Sequence, residues 1–377
     1  MSDWFKVALD RIKESQGNYI NKQDLNGKEE ILLCSNCFKD EGLKIDAYNI
    51  GIKSRDTCPN CKSKIGHKLT KSLIRKLCYI FFVRGTIERS NFGGSPLIQF
   101  NEQHYNKSEV KVSSWLIEDL KLVEKAGEIG LFYYGPRLWM VGEVEPLNSL
   151  QKEEEKNTII DRILNSYPTK ILKKKEYFYR LRKNPKLPHN INEYDTAPKE
   201  FLGINRFDKV DFPVLYGSPD LELCLHECRT TVEDNLYIAK LVPKNTLKMF
   251  DLSVLIEEKK TEFESLDIAI HFLFLAGDNS YNICRTIACA AKEKGFDGII
   301  YPSYYSLIRT GAMPFETVYG ISVRRLPHLK YHAQLQSVPN VAVFGRPIKE
   351  KLLTVDCINK VVINRVSYEL TFGPIVT

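Results

Sequence analysis

The chain has 377 residues, of which 43% are hydrophobic and 11% aromatic; that supplies a sizeable core and excludes bulk disorder. Two or three domains are expected at this length. The formal charge of +7 admits an anionic ligand such as a nucleotide, but gives only weak support to a nucleic-acid partner. No run is long and apolar enough to span a bilayer, and the amphipathic first 21 residues have no signal-peptide core, so a cytoplasmic protein without a membrane partner is expected.

Asp3 precedes WFKVALDRIKES, where Trp4, Phe5, Ala8, Leu9 and Ile12 recur at helical spacing and predict a short helix packed on the next module. Cys34-Ser-Asn-Cys37 and Cys58-Pro-Asn-Cys61 follow, with twenty residues between the pairs. Each C-x-x-C sets two thiolates on one turn, and two such turns complete a tetrahedral zinc site at zinc-ribbon spacing. A redox dithiol or four plain thiols is the competing reading, and the paired spacing favours zinc. Four thiolates fill the shell, so Cys34, Cys37, Cys58 and Cys61 are expected to hold a structural zinc, and His67 is left out. The segment between the pairs reads as polar with short strand-like pieces. The other six cysteines are scattered among apolar residues.

Thr70 to Val83 predicts a helix with a wide apolar face, and Phe92 to Tyr105 a loop entering a strand. Ser114 is placed as the cap of a helix from Trp115 to Lys125, with Leu116, Leu120 and Val123 inward. Gly130–Pro136 and Leu138–Val141 read as strands. An acidic run at Gln151–Lys156, a helix at Asn157–Tyr167 and a basic run at Lys173–Lys175 put a boundary near Leu150. The expected organisation is residues 1–68 as N-terminal helix and zinc ribbon, 69–150 as a small α+β module, and 151–377 as the catalytic domain.

In the last part FYRLR, LYIAKLVP, LKMFDLS, GFDGIIYPS, VAVFG, LLTVDCI and KVVINRVSYELTF read as strands. LELCLHE, Ser265–Ala276 and Tyr281–Gly295 read as helices, and Ser306–Val338 as an inserted flap. Helices do not alternate regularly with these strands, so the expected class is α+β: a zinc ribbon and small module, then a mixed α/β domain rather than a doubly wound one.

The order of residues from Tyr177 to Arg346 resembles the RES-domain family. Its carriers are Arg180 in FYRLR, the turn Asn205-Arg206-Phe207, Leu215-Tyr216 at a strand end, Glu227 on the following helix, Tyr301-Pro302-Ser303, and Asn340 in PNVAVF. Asn205 stands where the family usually has Gly, and Asn tolerates left-handed backbone angles. The resemblance implies a two-sheet core related to ADP-ribosyltransferases, with NAD as substrate in the cleft. It also implies the role of a growth-arresting toxin or defence effector.

The residue types fit that chemistry. Arginine forks suit phosphate oxygens, and a carboxylate near a ribose stabilises positive charge at the anomeric carbon. Arg180 and Arg206 are expected to hold phosphates, Tyr216 to cover the nicotinamide or its ribose, Glu227 to face the developing charge, and Ser303 to orient the nicotinamide end or a nucleophile. Catalysis is expected from Glu227, Arg180 and Ser303. Arg180 is expected at a strand end, with Arg182 as its twin on the same face. Glu227 is expected to be partly buried, with Glu222 as the rival carboxylate. His226 is a rival acid or base, Ser306 is the rival hydroxyl to Ser303, and each candidate also has a plain surface or capping reading. A protein partner acting through the N-terminal module is expected to restrain or activate the enzyme. The competing function is a zinc-ribbon nucleic-acid-binding or adaptor protein with an inactive C-terminal domain.

Overall fold

A computed structural model of the chain describes residues 29–84, 112, 114–134, 137–256, 258, 264–310, 317–318, 321–322, 329–335 and 337–366. The helix expected at Trp4–Ile12 and the loop at Phe92–Tyr105 lie outside them, as do residues 311–316, 319–320, 323–328 and 336 of the expected flap. The described residues divide into two compact units. One falls within Met1–Thr86 and Val112–Ile129, the other within Ile87–Lys111 and Gly130–Thr377. Among the described residues no helix is long and apolar enough to cross a membrane.

In the first unit β1 (Ile31–Cys34) leads into the first cysteine pair and α1 (Glu41–Ile50) follows it. The segment between the pairs is therefore helical, not strand-like. Asp40 caps α1 by accepting the Leu43 N–H at 2.8 Å, and Leu43 and Ala47, four apart, bury one face. β2 (Lys68–Thr70) pairs antiparallel with β1. Thr70 then accepts the Leu73 N–H and starts α2 (Lys71–Cys78), which runs on into a π-turn at Tyr79–Arg84. A 3-10 turn at Ser114–Leu116 precedes α3 (Ile117–Gly127), so Ser114 lies one turn ahead of the helix it was expected to cap.

The second unit opens with β3 (Leu131–Tyr134), β4 (Arg137–Met140), α4 (Glu145–Ser149) and α5 (Glu153–Ser166). The acidic run Glu153–Glu155 forms the first turn of α5, where the helix dipole favours negative charge. Then come β5 (Thr169–Leu172), β6 (Phe178–Lys183), β7 (Val214–Gly217), α6 (Leu221–Glu227), β8 (Leu236–Pro243) and β9 (Leu247–Asp251). α7 (Leu266–Leu275) and α8 (Tyr281–Glu293) return the chain to β10 (Gly298–Pro302). α9 (Ser306–Thr310), β11 (Thr317–Val318), β12 (Ile321–Ser322), α10 (Lys330–Leu335), β13 (Pro339–Phe344) and β14 (Leu353–Val361) complete it. β14 absorbs the first of the two expected terminal strands and the start of the second; residues from 367 onward lie outside the described set.

Five strands form one sheet in the order β5-β9-β10-β13-β7, and three form another in the order β14-β8-β6. Side chains alternate across the five-stranded sheet, and both faces are covered. Leu172, Leu215, Met249, Ile300, Val341 and Val343 pack into a core with Phe178, Ala239 and Leu241 of the smaller sheet. Val214, Phe250, Ile299, Tyr301, Ala342 and Phe344 point the other way, into a larger core with α5, α7 and α8. A strand buried on both faces reads as a continuous apolar run, which is how GIIYP and VAVF look in the sequence. This is the mixed two-sheet α+β class expected. Val141, Val144, Leu147 and Leu150 belong to that larger core, on the N-terminal side of the boundary expected near 150.

β6 touches β7 through an isolated bridge, Tyr179 to Ser218, with N–H···O distances of 2.7 and 3.0 Å. Gly217 permits this approach, because a Cβ there would lie 2.6 Å from the Phe178 ring and the Tyr179 carbonyl.

Candidate functional site

In the first unit the four thiol sulfurs of Cys34, Cys37, Cys58 and Cys61 lie within 4.8 Å of one another. Individual separations are 3.4 Å (Cys34 to Cys61), 3.5 Å (Cys37 to Cys58) and 3.9 Å (Cys34 to Cys37). A tetrahedral zinc at ~2.3 Å from each sulfur requires sulfurs about 3.8 Å apart, so the set fits the ion. The Cys34 N–H also points at Cys37 Sγ at 3.4 Å. Asp119 of α3 is buried and accepts the Lys39 and Asp40 N–H groups at 2.9 and 2.7 Å, fixing the loop that leaves the first pair. His67 stacks on Tyr48 and is not in the cluster.

In the second unit a cavity of about 1520 Å³ is lined by residues of β6, β7, α6, β10 and the 190–206 segment. Nine Lys or Arg residues line it against five Asp or Glu, so it favours an anionic ligand. Arg180, Arg206, Tyr216 and Glu227 all reach it.

Glu227 is the last residue of α6, a helix of seven residues capped by Asp220, which accepts the Leu223 N–H at 2.9 Å. Cys224 packs with Leu181, Leu236 and Ile238, so that face of α6 sits on the smaller sheet. Glu227, at the helix end, is exposed to the cavity rather than partly buried as expected. Its Oε1 accepts two hydrogen bonds, from Ser303 Oγ and from Asn340 Nδ2, both at 2.5 Å. Oε2 has no partner among the described residues.

Ser303 is buried. Its N–H donates to the Val338 carbonyl at 2.9 Å, and its Oγ accepts the Tyr305 N–H at 3.0 Å. Its hydroxyl is therefore committed to Glu227 and does not face a ligand directly. Ser306 is structural: its Oγ donates to the Ser303 carbonyl and accepts the Val338 N–H. His226 stacks on Tyr305. Glu222 is solvent-exposed and pairs with Arg309 at 3.2 Å.

Arg180 is the third residue of the six-residue β6, not its end. Its Nη1 donates to the Tyr216 carbonyl at 2.7 Å, while Nε is buried with no partner among the described residues. Burial lowers its pKa, yet a guanidinium stays charged at neutral pH. Arg182, on the same strand face, has both ends engaged, donating to the Glu193 and Asp195 carbonyls at 2.5 Å each. Arg180 is the less occupied of the two.

Arg206 closes the C-terminal end of α7. Its Nη1 donates to the Leu273 carbonyl at 3.1 Å and its Nη2 to that of Phe274 at 3.2 Å, and the guanidinium lies over the Phe274 and Tyr281 rings. Its positive charge thus stands at the cavity wall in a fixed position. The Tyr216 hydroxyl accepts the Phe207 and Asp208 N–H groups at 2.9 and 3.2 Å, holding the Arg206 turn, and burial pushes its pKa well up. Asp208, missed in the sequence, is the centre of that turn: it accepts from Gly203 N, Asn205 N and Asn205 Nδ2. The Gly-x-Asn-x-x-Asp spacing, rich in turn-forming residues, was the available signal. Gly203, not Asn205, takes the left-handed angle, at φ 85°, so Asn205 carries no such strain.

Residues 178–310 match the RES domain. The matched stretch holds Arg180, Arg206, Tyr216, Glu227 and Ser303; Asn340 lies beyond its end. No curated protein matches the chain. Among solved structures, the crystal structure of the M. tuberculosis MbcT-MbcA toxin-antitoxin complex is similar at 12% identity, over 54% of this chain and 91% of that one, with a TM-score of 0.29.

Proposed function

We propose that this RES-domain protein cleaves the N-glycosidic bond between nicotinamide and ribose in NAD. The observation that carries the reading is the Glu227 carboxylate. One oxygen is held by Ser303 and Asn340, and the other is left to the cavity that Arg180 also lines. Nicotinamide in NAD is already cationic, so the C1′–N electron pair leaves with a neutral base and no proton is needed first. The protein's task is to hold the dinucleotide and stabilise the oxocarbenium-like ribose.

Glu227 is assigned the ribose hydroxyls and the developing charge. Arg180 is assigned a phosphate, Arg206 supplies fixed positive charge to the phosphates, and the Tyr216 ring covers the nicotinamide end. Ser303 acts through Glu227. Because Glu227 is exposed to the cavity, its field strengthens when substrate displaces water. The acceptor is water, phosphate or a protein side chain, which makes the reaction glycohydrolysis, phosphorolysis or ADP-ribosyl transfer. The family resemblance supports a growth-arresting toxin or defence effector in the cytoplasm. The zinc-bearing unit is assigned the contact with an inhibitory or activating protein partner.

Incubation of the purified protein with NAD, followed by chromatographic identification of products, tests the reading. Free nicotinamide together with ADP-ribose, ADP-ribose 1-phosphate or modified protein is expected. If NAD survives under every condition, including after removal of the N-terminal unit, the protein is an adaptor with an inactive RES fold.

A further inference from the structure

Tyr301 lies on β10 directly opposite Asn340 on β13. Its ring is clamped, edge-on to Phe207 with centroids 5.0 Å apart and stacked on Phe274 at 5.2 Å. The residue is 7% exposed, and it lines the cavity. A phenyl ring would satisfy that packing. The hydroxyl needs a separate account, because burying an O–H without a partner is unfavourable.

The orientation of Asn340 decides where the phenolic hydrogen is not. Glu227 Oε1 only accepts hydrogen bonds, so the amide atom 2.5 Å from it is Nδ2. Asn340 Oδ1 is then buried with no donor among the described residues, so Tyr301 does not give its hydrogen there. Burial, and then the Glu227 charge, raise the Tyr301 pKa and keep the phenol protonated. What remains at the cavity wall beside Glu227 is a neutral O–H donor without an acceptor among the described residues.

We infer that the Tyr301 hydroxyl is a substrate-binding donor. It gives its hydrogen to an oxygen of the nicotinamide riboside half of NAD, either a ribose hydroxyl or the carboxamide carbonyl. It thereby helps select which dinucleotide the Glu227 centre accepts. This rests on the NAD reading of the site. Tyr301 and Glu227 then act on the same nicotinamide riboside half, one as donor and one as acceptor. An analogue lacking the matching oxygen leaves the phenol unpaired, and such sites reject their imperfect analogues strongly.

The test is Tyr301→Phe, which keeps the ring and removes only the oxygen. Steady-state kinetics of wild type and variant are measured with NAD, with its thionicotinamide analogue (a weaker acceptor than the carbonyl), and with an analogue lacking the 2′-hydroxyl of the nicotinamide ribose. For NAD, kcat/KM falls about ten- to a hundredfold in the variant, and Tm holds because the phenyl ring keeps its packing on Phe207 and Phe274. One analogue shows a similar loss on wild type and no further loss on the variant, which identifies the oxygen. Unchanged NAD kinetics in Tyr301→Phe overturn the inference, as does an equal loss for all three substrates accompanied by a lower Tm. A wild type that cleaves NAD alongside an indifferent variant removes this inference alone. A wild type that leaves NAD intact removes the NAD reading and this inference with it.

Discussion

The Ser303 hydroxyl donates to Glu227 Oε1 across 2.5 Å, although 76 residues separate the two in the chain. Ser303 sits just past β10, with its backbone tied to Val338, so the hydroxyl has a set origin. Asn340, on the neighbouring β13, reaches the same oxygen. Two donors on one carboxylate oxygen fix the plane of the carboxylate and leave its other oxygen for a ligand.

Glu227→Gln keeps the shape and loses the charge. It is expected to lower kcat by about 10²–10³ or more, with a modest change in NAD affinity. Ser303→Ala removes one of two orienting donors and is expected to lower kcat about tenfold with little change in KM. Glu222→Gln, at an exposed ion pair with Arg309, should behave as wild type. Single-turnover rates with binding by calorimetry separate these effects; near-normal turnover in Glu227→Gln would mean that another carboxylate does the work.

The two arginines of β6 should fail in different ways. Arg180→Ala is expected to weaken NAD binding about ten- to a hundredfold through a lost phosphate contact. Arg182→Ala strands the Glu193 and Asp195 carbonyls and is expected to cost about 1–3 kcal/mol of stability. Thermal unfolding and NAD titration of both variants decide this, and a reversal of the two phenotypes would exchange the roles.

Tyr216→Phe takes the acceptor from the Phe207 and Asp208 N–H groups. A loss of about 1–3 kcal/mol is expected, seen as a lower denaturant midpoint, and the Arg206 turn loosens with it. Ring coverage is retained, so KM for NAD should move less than stability does. A variant as stable as wild type would show that the hydroxyl does not hold the turn.

Stoichiometric zinc is expected in the purified chain, one ion held by Cys34, Cys37, Cys58 and Cys61. Elemental analysis of wild type and of Cys58→Ser checks it. Chelation should loosen the cysteine-bearing part of the first unit, while the second unit keeps its secondary structure. Metal content unchanged by Cys58→Ser would rule out this ligand set.

Two fragments test the boundary. A fragment beginning at Asn157 leaves out Val141, Val144, Leu147 and Leu150, which are buried in the same core as α7 and α8. A fragment beginning at Gly130 retains them. The longer fragment is expected to fold and keep NAD cleavage, and the shorter to be less stable by several kcal/mol. If the Asn157 fragment unfolds at the same temperature as the longer one, the boundary belongs near 150.

The sequence by itself determined the features that short-range spacing encodes. Two C-x-x-C pairs specify a four-sulfur site because each pair is one turn of chain. The apolar runs GIIYP and VAVF specify central strands because both of their faces are buried. The order Arg180, Arg206, Tyr216, Glu227, Ser303 was legible as a family pattern. The tertiary structure decided everything that depends on a partner from elsewhere in the chain. Arg180 and Arg182 are equivalent as sequence, two residues apart on one strand face. Only the fold of Ile191–Asp195 against β6 engages one and leaves the other. Glu227 looked half-buried on the periphery of an apolar helix face, but α6 ends at that residue, over the cavity. The helix between the cysteine pairs follows from its Asp40 cap and from the burial of Leu43 and Ala47, which the polar composition concealed. The hydrogen bonds of Ser303 and Asn340 to one oxygen, and the Tyr301 phenol beside them, exist because β10 and β13 pair antiparallel in one register. Long-range register is set by the packing of both faces of the sheet, and no local spacing in the sequence records it.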